Sequence, residues 1–354
     1  MKILKKLPLQ QNVETKAILK KLTAANKALA ELKGMLWNIP NNEILINTLA
    51  LQEALYSTSL ENLESTEHEV YLQKLFPENI ISSIAKKVLQ NFITIKKSYG
   101  LITNTGQLKQ KHINAINADL IQTDEKNYHY AENTLALNTA GKPIINPSKH
   151  RATTKDLMSN LETYINKNSS YQLDLLIKTA IIHYQFYSIH PFSKDNERTG
   201  RIVTQLYLIM QNLLPLPVLY LSKYMNKFKY EYYKLLREVR TVEHWENYLL
   251  FMLDGIEQTA LEAILKINKI QMLIAGFEGI IRQKYKFYSS ELITNIFLNP
   301  YINIELIEKK LNISRITAAK YLNTLARDGF LKKEQMGTAN YYINSKLMQI
   351  IIEN

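Results

Sequence analysis

The sequence predicts a mainly α-helical protein with one short β-hairpin in its body and a helix–helix–hairpin module at its C-terminal end. Three observations predict this. Apolar residues recur at the 3.6-residue helical period along most of the 354 residues. One stretch in the body, residues 132–146, instead alternates β-prone residues around Gly141. From residue 289 onward, short helical segments are followed by two β-prone runs.

In chain order, residues 15–33 place Ile18, Leu19, Leu22, Ala25, Leu29 and Leu32 near one face, bounded by Gly34 and Pro40. Further helices are predicted over 44–60, over 80–99 with a stop at Gly100, and over 108–121. Pro147 ends the hairpin. Helical periodicity returns over 155–166, 171–189, 198–213 (stopped by Pro215 and Pro217), 222–240 and 243–280. The C-terminal part reads as helices over 289–299, 304–311 and 314–328, with Ser314 as N-cap and Gly329 as C-cap. Strands over 330–334 and 339–343 flank Gly337. Helix, helix-turn-helix, hairpin is the winged-helix order. With no internal repeat and no low-complexity linker, we divide the chain into an N-terminal helical region (1–107), a core (108–284) and the C-terminal module (285–354).

The absence of cysteine excludes disulfides, thiolate nucleophiles and Cys-ligated zinc, and fits a reducing cytoplasm. The basic N-terminus, MKILKKLPLQQNVETK, lacks an apolar signal core, and no run of about 18 apolar residues predicts a membrane span. A cytoplasmic protein without membrane contact is therefore expected. The net charge is +12, yet only eight of the 44 basic residues are arginine, and the segment from Phe287 onward carries eight basic and six acidic residues. The excess is spread out and reads as a solvated basic surface rather than a nucleic-acid patch. His68, His112, His129, His150, His183 and His244 show no metal-ligand spacing.

The chemistry concentrates in residues 190–201, HPFSKDNERTGR. A helix N-terminus offers unpaired N–H groups and partial positive charge to an anion. Arg198 and Arg201, three apart, share a face of that helix and could clamp phosphate oxygens. His190, just before the loop, is placed to act as a general base. Spacing alone leaves open a blander alternative of a core histidine followed by two solvated arginines.

The string resembles the signature of the Fic family, His-Pro-Phe-x-Asp/Glu-Gly-Asn-Gly-Arg-x-x-Arg, with His190, Pro191, Phe192, Asn196, Arg198 and Arg201 matching. The flanks HYQFYSIH, LPLPVLYLSKYMNKFKYEYYKLLREVR and WENYLLFMLDGIE fit as well. The opening LPLQQNVETKAILKKLTAANKALAELKG is similar to the subgroup with an N-terminal inhibitory helix and a C-terminal winged helix. The resemblance covers nearly the whole chain and implies a helical Fic fold with its hairpin as a target-docking flap. It also implies a protein adenylyltransferase that moves AMP from ATP to a hydroxyl of a target protein. His190 would take the target's proton, and Phe192 would anchor the loop. Asn196 would bind near the α-phosphate, Arg198 and Arg201 would hold the outer phosphates, and Tyr232 and Tyr233 would border the adenine. Residues 57–62, STSLEN, resemble the family's inhibitory motif, so Ser57, Glu61 and Asn62 would form it, with Glu61 pairing Arg201 and blocking ATP.

The sequence departs from this pattern at three places. The family's Mg²⁺ ligand position is Lys194, which cannot bind a metal. Its two glycines are Asp195 and Glu197, which put negative charge where phosphate should sit, and which suit a φ > 0 backbone moderately and poorly, respectively. Before the flap, His129 stands near the family's arginine position. The competing reading is therefore a catalytically inactive Fic-like regulator acting through its winged helix, by DNA binding or scaffolding. In that module Arg315, Thr317 and Lys320 are expected to face outward, with Ile316, Ala319, Leu322 and Leu325 inward. Lys332 on the wing is available for phosphates. The target protein is not specified, and homodimerisation is left open.

Overall fold

The structure, a computed structural model, describes residues 4–39, 41–75, 81–123, 136–137, 143–145, 151–167, 173–336 and 339–353. Its frame is a set of packed helices around one that is buried on every side. That central helix, α8 (Leu175–Ile189), has almost no polar face, and residues 176 to 189 are all buried. Helix α9 (Asn196–Met210) returns against it, and Gly200 permits the close approach, since an added Cβ would lie 2.8 Å from Phe186 Cδ1. The longest element, α12 (Trp245–Lys284), runs along the body with α1 (Lys16–Met35) beside it. Thr15 caps α1, its side chain accepting from Ile18 N at 3.3 Å.

The expected helix over 44–60 forms in three pieces: α2 (Asn42–Leu45), a π-helical turn (Ile46–Ala50) and α3 (Leu51–Ser59). The turn leaves Asn47 free to donate to the carbonyl of Leu298 (3.1 Å) in the C-terminal module. Helix α4 (Glu67–Leu75), which the periodicity did not reveal, packs on α5 (Ser83–Thr105). Gly100 does not stop α5. Beyond it Ile102 is buried, so packing outweighs a helix-interior glycine's cost of about 1 kcal/mol. The stop is Gly106, at φ 64°.

Helix α6 (Gln110–Ile121) follows, then the paired strands β1 (Ala136–Leu137) and β2 (Pro143–Ile145) inside the expected hairpin, then α7 (Arg151–Asn166). His129 lies outside the described residues. The expected helix over 222–240 is two helices, α10 (Leu221–Lys227) and α11 (Lys229–Val242). They break at Phe228, whose ring packs on Tyr224 at 4.8 Å, without a glycine or proline to signal it.

In the C-terminal part, α13 (Ser290–Leu298), β3 (Tyr301–Asn303), α14 (Ile304–Leu311) and α15 (Arg315–Arg327) precede strands β4 (Lys332–Met336) and β5 (Ala339–Ile343) and helix α16 (Ser345–Ile352). The antiparallel sheet has the order β3-β5-β4, with Tyr301 opposite Ile343 and Lys332 opposite Ile343. Ser314 and Gly329 cap α15 as expected, but its inward face is Ala318, Leu322 and Leu325. Ile316 is 83% exposed and Ala319 half-buried. A stripe at i, i+4, i+7 leaves a residue two positions before its start on the opposite side. The module docks on the N-terminal segment and on α12. Lys74 donates to Asn299 (2.6 Å), Lys266 to the Ile351 carbonyl (2.7 Å), and His68 meets Tyr301.

Candidate active site

Helix α8 ends at His190, whose backbone turns left-handed (φ 51°) while its N–H donates to the Phe186 carbonyl at 3.1 Å. That turn throws the chain into the loop that leads to α9. Phe192 is buried against Phe186 and anchors the loop. The Asn196 amide closes it from the other side, accepting from Phe192 N (2.8 Å) and donating to Phe192 O (2.6 Å). Asn196 therefore holds the loop's shape, and both ends of its amide are engaged there. Asn117 on α6, which sequence reasoning missed, supports the same loop by donating to Lys194 O (3.0 Å) and Thr199 Oγ1 (2.9 Å). Burial pushes the His190 imidazole down to about 4, so its ring stays neutral at physiological pH.

Of the two positions where glycine was expected, only Asp195 has positive φ, 59°. Glu197 lies in the first turn of α9, where a carboxylate complements the helix dipole and the backbone is unstrained. Both carboxylates turn onto the arginines. Asp195 bonds Arg198, Glu197 lies 3.5 Å from Arg201 and also accepts from Tyr233 Oη at 2.8 Å. Lys194 is exposed. Among the described residues there is no group of three or more His, Asp or Glu that could hold a metal ion. At the position the resemblance gives to the Mg²⁺ ligand, the Lys194 side chain offers an ammonium and no oxygen, and the neighbouring Asp195 carboxylate is bonded to Arg198, so this position does not fit the metal.

Glu61 follows α3 and spans both arginines. Its Oε1 lies 3.0 Å from Arg201 and its Oε2 3.3 Å from Arg198. Arg201 is buried and donates in addition to Ser57 Oγ (2.7 Å) and Ser57 O (2.8 Å). Burial raises the Glu61 carboxyl above its ordinary range against the pull of Arg201 and Arg198. Burial also opposes the charge on Arg201, but Glu61 and Glu197 hold that guanidinium above its usual value. The third predicted residue of this motif, Asn62, sits at φ 60° and accepts from Lys229 Nζ at 2.6 Å. Asn226 donates to Ser59 Oγ at 3.2 Å.

A further fastening was not foreseen. Glu53, fully buried, accepts from Ser222 N (3.0 Å) and Ser222 Oγ, tying α3 to α10, and burial pushes its carboxyl up to about 7. A carboxylate inside the apolar run LALQEALY was the signal that could have found it.

The two tyrosines expected to border the adenine both lie beside the arginine cluster and are hydrogen-bonded within the protein. Tyr232 is fully buried with its hydroxyl on His183 Nε2 (2.7 Å), because the aromatic face of α11 packs inward. Tyr233 is spent on Glu197. A cavity behind Arg201, lined by Glu53, His183, Thr204 and Ser222 among others, measures about 10 Å³, room for about one water and not for a nucleotide. In the C-terminal module Arg315 and Lys320 are exposed as expected, Thr317 is half-buried against Ser314, and Lys332 pairs with Glu334 at 2.6 Å.

Family models match three stretches of the chain: Fic/DOC family N-terminal over residues 19–96, Fic/DOC family over 107–208, and protein adenylyltransferase SoFic-like, C-terminal domain, over 274–347. The chain belongs to the Fic family. The loop of His190 and both arginines fall within the second match, and Glu61 within the first. Solved structures show the same fold. A Fic family protein from Desulfovibrio desulfuricans G20 superposes with a TM-score of 0.57 at 17% identity, covering 94% of this chain and 97% of that one. A Fic domain-containing signaling protein from Bacteroides thetaiotaomicron VPI-5482 gives 0.52 at 16%, covering 71% and 96%. Fic-1 from C. elegans gives 0.52 at 14%, covering 71% and 73%. At these identities the likeness speaks for the fold alone. Among the described residues no helix is long and apolar enough to cross a membrane.

Proposed function

We propose that this Fic protein is an adenylyltransferase that moves AMP from ATP to a hydroxyl of a target protein and is held off by Glu61. The observation that carries this reading is the Glu61 carboxylate spanning Arg198 and Arg201, the two cations that would receive a polyphosphate. With Glu61 withdrawn, the target hydroxyl attacks the α-phosphorus in line. Its proton passes to the neutral His190 ring, the bond to the pyrophosphate oxygen breaks, and the arginines stabilise the charge on the departing pyrophosphate.

A second reading has its own support. Asp195 and Glu197 engage the same arginines from within the loop, and withdrawal of Glu61 leaves them there. Such a protein would be a catalytically inactive Fic-like regulator whose exposed Arg315 and Lys320 meet DNA or a partner protein. Incubation with labelled ATP, with and without Mg²⁺ or Mn²⁺, separates the two. Self-labelling of Glu61→Gly that is lost in Glu61→Gly/His190→Ala supports the transferase. No label on either, with no ATP binding, sinks it.

A further inference from the structure

The outer face of α12 carries an apolar seam with no partner among the described residues. Leu261 (43% exposed), Leu265 (62%) and Met272 (75%) share it with Asn268, Ala275 and Gly279, all exposed. The inner face of the same helix is independently satisfied, with Ile264, Ile267, Ile270 and Ile274 buried. The outer positions alternate by three and four residues, the spacing of a coiled-coil seam.

Gly279, with Gly276 beside it, is not required by any contact among the described residues. Neither has a positive φ, and an added Cβ at either would meet nothing within 4 Å. Glycine inside a helix lowers its stability, and the chain has only ten glycines in 354 residues, so two in one turn of an exposed face call for a reason outside the monomer. Close approach of another helix supplies it.

We propose that α12 pairs antiparallel with the α12 of a second copy. The seam is self-complementary about position 270. Leu261 falls opposite Gly279 of the other copy, Leu265 opposite Ala275, and Asn268 opposite Met272. Each layer joins a seam position of one type to the other type, as antiparallel coiled coils require. In the two outer layers a large side chain meets a small one. A two-fold pairing repeats every contact, which is what an isologous dimer needs. The flanking charges are already matched in cis, Lys269 with Glu353 (2.5 Å) and Glu278 with Arg282 (2.8 Å), so burying the seam strands no charge. A single polar residue, Asn268, fixes the register. From residue 261 to 279 the seam is about 27 Å long, less than a standard interface of about 1,600 Å² would need, so association in the micromolar range is expected.

Sedimentation equilibrium of the full chain over about 1 to 200 μM tests this. The expected result is a monomer–dimer equilibrium that Met272→Asp and Leu265→Asp each weaken at least about tenfold, with unchanged circular dichroism. Because the chain lacks cysteine, orientation can be read by oxidation. Leu265→Cys/Ala275→Cys links two copies, while Leu265→Cys alone does not. A monomer throughout that range, a dimer indifferent to Met272→Asp, or ready crosslinking of Leu265→Cys alone overturns the proposal. The first of these would leave the face to a different protein.

Discussion

Stepwise removal of the acids around Arg198 and Arg201 should show that Glu61 is only one of three groups competing with a nucleotide. The two arginines carry +2, and Glu61, Asp195 and Glu197 carry −3, so the cluster sums to −1. Glu61→Gly brings the sum to 0. Adding Asp195→Gly and Glu197→Gly brings it to +2. A carboxylate about 4 Å from a phosphate oxygen costs on the order of 4 kcal/mol at an effective dielectric near 20, and about 1.4 kcal/mol is tenfold in Kd. Side-chain relaxation discounts this, so we expect the triple variant to bind ATP at least about 100-fold more tightly than Glu61→Gly. The backbone permits the test. Glycine relieves the positive φ at Asp195, and at Glu197 it costs a helix first turn about 1 kcal/mol. Titration calorimetry with ATP, with and without Mg²⁺, is the assay, with circular dichroism to confirm folding. If Glu61→Gly alone binds ATP within about threefold of the triple variant, on a scale where tenfold is about 1.4 kcal/mol, the loop carboxylates swing aside freely. The argument that they compete is then wrong.

Three further outcomes are expected. Gly200→Ala should destabilise the protein by about 1–3 kcal/mol in urea unfolding, because the new Cβ meets Phe186 at 2.8 Å in a tightly packed helix pair. Stability should fall as pH drops below about 6.5, because burial holds His183 and His190 down at about 3 and 4, so the unfolded chain takes up protons first. Glu53, raised to about 7, acts in the opposite direction, adding stability as pH falls from 7 towards 4.5. Glu53→Gln should therefore steepen the acid loss between pH 6.5 and 4.5 by about 2–3 kcal/mol. An unchanged slope in that variant's pH-dependent unfolding would contradict the assignment. If the C-terminal module binds DNA, Arg315→Ala and Lys320→Ala should each lower the slope of log K against log salt by about 1. Ile316→Asp should weaken binding without altering thermal stability, since Ile316 is 83% exposed. Filter binding at several salt concentrations reads all three.

Most of the helices, the C-terminal helix–helix–hairpin and the residues of the loop were legible in the sequence, because periodicity and capping are local properties; α4 and α16 were not. Ser314 and Gly329 cap where their residue types predict. The sequence also sufficed to bring out Glu61 and its pairing with Arg201, since the motif residues matched a known pattern. Only the tertiary structure decided what those residues touch. Whether α5 stopped at Gly100 depended on burial further along, and whether 222–240 broke at Phe228 depended on one ring packing against another. The inward face of α15 turned on phase, which two residues of drift invert. Above all, Asp195 and Glu197 read as charges set against a phosphate. Folding turns them onto Arg198 and Arg201, because buried guanidiniums are stable only with carboxylates close by, and three happen to be within reach. Residue identity fixes which charges are present, while the path of the backbone fixes their distances, and at 3 Å in a buried site distance sets the outcome.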